Sequence, residues 1–196
     1  MSRIPPIPPA EWSPELRTFI TEFRDTVRAG KPSEGRPNGA NLLGVLANHP
    51  ALTTAFLQFN GHLLYGSPLP GRYRELLVLR VAWLRRCDYE WAQHVVQADG
   101  VGLDDAEIDR VGEGPDAPGW TPVERALLSA ADELLSDGTI GDDTWRALSG
   151  EFDERQLIDL VFAVGTYDML AKAMRTFGVE LDADLEPYLR GIRAVR

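Results

Sequence analysis

Residues 72–94 read RYRELLVLRVAWLRRCDYEWAQH, and this stretch decides the fold. From Glu75 to Leu84 nearly every position is apolar, with Arg80 the one charge inside the run. A helix that is apolar on all sides belongs at the centre of a core rather than on its surface. No segment of the chain alternates apolar and polar residues as a half-buried strand would.

Working outward, helix signals recur with their caps. SPLPG at 67–71 punctuates the chain before the central run. After it, Asp88 is placed to cap a helix carrying Tyr89, Trp91, Val95 and Val96 that runs out near Gly100. Asp104 with Glu107 spells a capping box. The loop-like GEGPDAPGW at 112–120 is followed by Thr121, Pro122 and Glu124, a second box with proline at the first helical position. A further helix is expected around Thr144 to Leu148, and Asp153 with Gln156 caps a long one that stops at Gly178.

Upstream, Ser13-Pro14-Glu15 opens a helix ending near Ala29 and Gly30, and GKPSEGRPNG at 30–39 reads as loop. Two helices are expected next, Leu42 to Ala47 and Pro50 to Leu64. The fold class predicted is all-α, one domain of about eight helices over residues 1–196. Residues 1–12, MSRIPPIPPAEW, form an extended arm, because proline fixes its own backbone and biases its neighbour away from the helix. The arm is either solvated or a strap over a neighbouring subunit.

The composition of 196 residues, 44% hydrophobic and 26% charged, is that of an ordinary globular protein. No stretch reaches the roughly 20 apolar residues of a membrane span, and the start lacks a signal-peptide pattern, so a cytoplasmic protein with no membrane partner is expected. A net charge of −10 disfavours nucleic acid as a partner. The single cysteine, Cys87, excludes an intramolecular disulfide. Arg72, Arg74, Arg80, Arg85 and Arg86 cluster along one segment, where they either hold an anionic substrate or pair with neighbouring carboxylates.

At about 100° per residue, Cys87, Glu90 and His94 fall within an arc of roughly 60° on one helix face. Thiol, carboxylate and imidazole among large apolar residues are costly to bury unless they bond to one another or to a substrate. Each also has a packing reading: His94 bonded to Glu90 one turn away, Cys87 as a small buried hydrophobe, Glu75 paired with an arginine. Tyr89 and Trp91 read first as packing, and His62 and Tyr167 as candidate pocket lining. Glu90 and His94 sit at a workable metal-ligand spacing. With only three histidines in the chain and no second cysteine, no metal is expected.

Glu75, Cys87, Glu90 and His94 together resemble the alkyl hydroperoxidase D motif, a glutamate followed by Cys-x-x-Cys-x-x-x-His. Glu75 matches the glutamate, Cys87 the first cysteine and His94 the histidine, whereas Glu90 stands at the second cysteine. In redox-active members the two cysteines cycle between dithiol and disulfide, so Cys87 lacks an intramolecular resolving partner here. The variant Cys-x-Tyr-Glu-Trp-x-x-His, with GTYDMLAKAMRTFGVEL at 165–181, resembles the carboxymuconolactone decarboxylase-like branch instead.

That resemblance implies an alkyl hydroperoxidase D-like helical bundle, a homo-oligomer (trimer or hexamer) and a cofactor-free carboxy-lyase or related proton-transfer enzyme. His94 would be the acid or base, with Glu90 or Glu75 orienting it. Arg72 or Arg74 would bind the carboxylate of a small lactone acid, with Tyr89, Trp91, His62 and Tyr167 lining the site. The alternatives are a single-cysteine peroxidase acting through Cys87 and a non-catalytic oligomeric ligand-binding protein.

Overall fold

The computed structural model describes residues 2–28 and 39–189. Among these, nine α-helices follow one another: α1 (Pro14–Arg28), α2 (Ala40–Leu46), α3 (Pro50–Gly61), α4 (Gly71–Arg85), α5 (Asp88–Asp99), α6 (Asp105–Glu113), α7 (Pro122–Ser136), α8 (Asp142–Ser149) and α9 (Glu154–Phe177). No strand occurs among the described residues, so the architecture is an all-α bundle. Most of the loop expected at 30–39 lies outside the described residues.

The apolar run forms the axis of the bundle. Every residue of α4 from Glu75 to Ala82 is buried, and the helix packs against α5, α7 and α9. Trp91, Ile108, Leu127, Leu128, Leu148 and Leu160 join its leucines and valines in one continuous core. A smaller cluster of Trp12, Leu16, Ile20, Ala47 and Leu57 seats α1 on α2 and α3.

Local chemistry sets the helix ends. Capping boxes form at Asp104/Glu107, Thr121/Glu124 and Asp153/Gln156, each side chain accepting from the other residue's backbone N–H. Gly178 ends α9 in the left-handed region at φ 68°. At the end of α4 that role falls to Arg86, with φ 53°. Its N–H donates to Trp83 O and that of Cys87 to Ala82 O, the paired bonds of a Schellman turn.

Two expectations are corrected. Asp88 does not cap α5; the N-cap position is Cys87, in extended backbone, and Asp88 is the first helical residue. The N-terminal arm is not free in solvent. Arg3 N–H donates to Phe177 O and Ile7 N–H to Gly44 O, which tie the arm to the chain's own α9 and α2, while Trp12 Nε1 donates to Ile7 O within the arm. At the end of α3 the chain widens into a π turn, His62–Gly66, an irregularity frequent at functional sites.

Candidate active site

Glu75 lies in the second turn of α4 and His94 midway along α5. The tight turn at Arg86 and Cys87 folds these helices together, so the imidazole Nδ1 meets Glu75 Oε2 at 2.6 Å. The other carboxylate oxygen of Glu75 accepts from Arg74 Nε at 2.9 Å. Burial alone would raise the carboxyl's pKa. The charge of His94, its hydrogen bond and the Arg74 guanidinium outweigh that and hold it below the ordinary carboxylate range. An ionised Glu75 can only accept, so His94 Nδ1 carries a proton and donates, and Nε2 is the ring nitrogen left to face another partner. Tyr167 on α9 packs edge-on against this ring, with centroids 4.7 Å apart.

His94 borders a cavity of about 170 Å³ lined by α2, α3, the π turn, α5 and α9. Glu90, one turn before His94, lines it too and is 2% exposed. Both of its carboxyl oxygens are buried with no hydrogen-bond partner. Burial first, and then the nearby negative charge of Asp168, push its pKa far above the usual carboxylate range. Burial thus favours the protonated carboxyl of Glu90, the form with an O–H to donate. The Tyr167 hydroxyl is likewise buried and unpartnered, and burial raises its pKa, so it too is an O–H donor.

Two more cavity residues carry unpaired buried polar atoms: Asn60 through Oδ1, and Gln93 through Nε2, which lies near the Tyr89 hydroxyl without a well-formed bond to it. Neither carries a signal in the sequence. Native structures leave few such groups unsatisfied, so several of them facing one cavity mark it as a place for water or a polar ligand. The rest of the wall is apolar, from Leu42, Leu43, Leu64, Leu170 and Met174.

The other expected site residues go elsewhere. Cys87 is 2% exposed and lines a separate, more open cavity of about 450 Å³ with Arg86, Asp88 and Arg175. Burial first, and then the Glu90 carboxylate, push its thiol up to about 12. The expected arc of Cys87, Glu90 and His94 thus splits between two cavities, which share Tyr89 and Met174 as walls. Arg72 is taken up by Glu107 and Glu124 and does not line the cavity beside His94. Arg74 acts on Glu75 rather than lining that cavity.

Trp91 is fully buried and packs against Trp83 in the core. His62 is half-exposed and bonds Asp159 at 3.1 Å. Tyr89 lines the cavity wall but gives its hydroxyl proton to Asp182 at 2.6 Å. No cluster of three potential metal ligands occurs among the described residues. None of the described helices is long and apolar enough to cross a membrane.

An imidazole oriented by a buried carboxylate, facing a buried carboxyl and a phenol across a small cavity, is an arrangement able to carry acid–base chemistry in an all-α bundle. Solved structures share the fold. One is an alkylhydroperoxidase AhpD core, an uncharacterized peroxidase-related protein from Ralstonia eutropha. It is 20% identical, with a TM-score of 0.77 over 97% of this chain and 96% of that one. Another, from Agrobacterium tumefaciens, is described as a putative antioxidant defence protein AhpD; it is 20% identical, with a TM-score of 0.65 over 76% of this chain and 98% of its own. The debrominase Bmp8, solved as a variant in complex with 2,3,4-tribromopyrrole, is 14% identical with a TM-score of 0.75 over 96% of both chains.

Among curated proteins none matches the chain. Residues 50–133, which hold Glu75 through His94, match the model of the Carboxymuconolactone decarboxylase family. The stretch that carries the candidate site is thus similar to this family, and the bundle around it shares its fold with AhpD-like structures.

Proposed function

We propose that the protein is a cofactor-free acid–base enzyme that moves a proton on a small unsaturated carbonyl compound. The observation that carries this reading is the 2.6 Å bond between Glu75 and His94 Nδ1 beside a cavity that the unpartnered carboxyl of Glu90 also lines. His94 Nε2 is the base. Glu90 and Tyr167 donate hydrogen bonds to the carbonyl oxygen as negative charge builds there, stabilising the enolate-like state. Glu75 is a positioning residue, holding the imidazole tautomer and stabilising the imidazolium once it forms.

The test is deuterium exchange: unsaturated lactones and ketones incubated with the protein in D2O, followed by NMR. Exchange at the activated carbon is expected from the wild type and from Cys87→Ala, and a loss of at least about a hundredfold from His94→Gln. A His94→Gln protein as active as the wild type would end this reading.

The structural relatives favour the second reading, hydroperoxide reduction, since two of them are described in those terms. In that chemistry the Cys87 thiolate attacks the peroxide, the O–O bond breaks to give a sulfenic acid and an alcohol, and an external thiol reduces the sulfur. The thiol's burial and high pKa count against it, because the thiolate is the nucleophile. Peroxide consumption abolished by Cys87→Ser would establish this reading over the first.

The homo-oligomer expected from the sequence is also part of the proposal. Its support is the outer face of α9, where Ile158, Val161, Phe162 and Met169 stand exposed at helical spacing, with Phe59 of α3 against Phe162.

A further inference from the structure

Asn60 on α3, Glu90 on α5 and Tyr167 on α9 line the cavity beside His94. All three are more than nine-tenths buried and carry polar atoms with no partner among the described residues. Glu90 stands apart from the other two, because both oxygens of one group are left over. In the protonated form that burial favours, a carboxyl presents a donor and an acceptor side by side, the O–H and the C=O.

A ligand that satisfies both oxygens at once must therefore offer an acceptor and a donor at matching spacing. A ketone or an ester meets half of this demand. Its carbonyl accepts the Glu90 O–H but leaves the other Glu90 oxygen buried without a bond, which is the costly outcome. A ligand carboxylate does worse, since its second oxygen is set against the Glu90 C=O. An amide held cis in a ring meets both halves: its C=O accepts from the Glu90 O–H and its adjacent N–H donates to the Glu90 C=O. An ordinary peptide bond does not, because the trans form turns its N–H and C=O to opposite sides.

The geometry points to a small cyclic amide, a lactam, as the ligand of this cavity, its N–H and C=O paired with the two oxygens of Glu90. The Tyr167 hydroxyl gives a further bond to the same carbonyl. Asn60 Oδ1 is one more acceptor on the wall, in keeping with a ligand that brings hydrogen-bond donors. The inference rests on the acid–base reading and narrows its carbonyl compound to one class. Size agrees with it: the cavity holds about 170 Å³, and an apolar cavity of about 150 Å³ is known to admit benzene, so a single six-membered ring fits. Leu42, Leu43, Leu64, Leu170 and Met174 match the methylene edge of that ring.

The experiment is equilibrium binding to the full chain at pH 7 by calorimetry and ligand-observed NMR, independent of turnover. The probes are three rings of equal size that differ at one position: 2-piperidone with N–H, δ-valerolactone with O, and cyclohexanone with a methylene. The lactam is expected to bind at least about tenfold tighter than the other two, since a site built to bond an N–H discriminates against analogues that lack it. Glu90→Leu should bring the lactam down to the level of the ketone. Glu90→Gln keeps a donor and an acceptor side by side and should retain the preference.

A lactone or ketone that binds as tightly as the lactam would overturn the proposal, as would a lactam preference that survives in Glu90→Leu. Failure of all three rings to bind at millimolar concentration, the result if water alone fills the cavity, would overturn it too. Lactam binding without deuterium exchange on any carbonyl ring would uphold the ligand class and defeat the acid–base function. Exchange on lactones and ketones with no preference for the lactam would do the reverse, so the two failures are distinct.

Discussion

Glu75 Oε2 and His94 Nδ1 lie 2.6 Å apart although the residues are nineteen positions apart in the chain, and both side chains are almost wholly buried. A depressed carboxyl pKa means that the folded state favours the charged form. The stability this contributes is fully present above the unfolded value, near 4.5, and is lost as pH falls through the folded value. Glu75→Gln should therefore cost about 3 kcal/mol at pH 7, since it breaks a buried pair. That corresponds to a melting temperature lower by roughly 6–12 °C for a chain of this size. Thermal melts from pH 7 down to pH 3 should show the two proteins converging as Glu75 protonates; a gap that is constant across this range would contradict the assignment.

Glu90 gives the opposite sign. Its folded pKa is raised, so the folded state binds the proton more tightly than the unfolded chain does, and stability falls as pH rises above about 4.5. The slope is about 1.4 kcal/mol for each pH unit until the folded value is reached. Glu90→Gln removes this penalty while keeping the shape. It should melt higher than the wild type at pH 8, with the advantage shrinking towards pH 4.5. Equal melting at both pH values would mean that Glu90 is paired in solution.

These two carboxylates mark the boundary of what the sequence makes legible. Helix caps at Asp104, Thr121 and Asp153 are local, each bonding three residues on, and their spacing alone finds them. The all-apolar run of α4 likewise predicts its own burial. The fates of Arg72 and of the imidazole are tertiary: Arg72 meets Glu107 and Glu124 from 35 and 52 positions away, and nothing in the local pattern selects Glu75 over Glu90 for His94. An ideal helix extended one residue too far puts Cys87 with Glu90 and His94; the chain turns at Arg86 and Cys87 and sends the thiol to another cavity. Asn60 and Gln93 carry no sequence signal, because what marks them is the partner they lack.

Arg80, the single charge within the apolar run, is 7% exposed and fully engaged. It binds Asp132 through two nitrogens at 2.6 and 2.8 Å, and donates to the carbonyls of Val111 and Gly112. These bonds join α4 to α7 and to the end of α6. Arg80→Leu strands two carbonyls and a carboxylate that is itself about one-third exposed, so the cost should be about 2–4 kcal/mol. Urea denaturation should show a lower midpoint with an unchanged slope. A variant as stable as the wild type would mean that water satisfies those carbonyls as well as Arg80 does.

The Cys87 thiol, pushed up to about 12 and 2% exposed, should be slow to react in the folded protein. At pH 8 a disulfide reagent should label it at least about a hundredfold more slowly than it labels the urea-unfolded chain, because only the thiolate attacks. Fast native labelling at pH 7 would show a lowered thiol pKa and turn the balance towards peroxide chemistry.

Asp182 ties the start of α2 to α5. One carboxylate oxygen accepts the Asn41 N–H at 3.0 Å, so Asp182 satisfies an N-terminal amide that α2 cannot. The other accepts the Tyr89 hydroxyl at 2.6 Å, and that hydroxyl in turn accepts the Leu42 N–H at 3.3 Å. Leu42 and Leu43 wall the cavity, so the latch sets how firmly that wall is held. Asp182→Ala should cost about 1–2 kcal/mol locally. Amide exchange at residues 41–43 should then speed up by about five- to thirtyfold, while the core of α4 keeps its protection. Acceleration in α4 as well would mean that Asp182 supports the whole bundle, and no change at residues 41–43 would mean that the wall is held by its leucines alone.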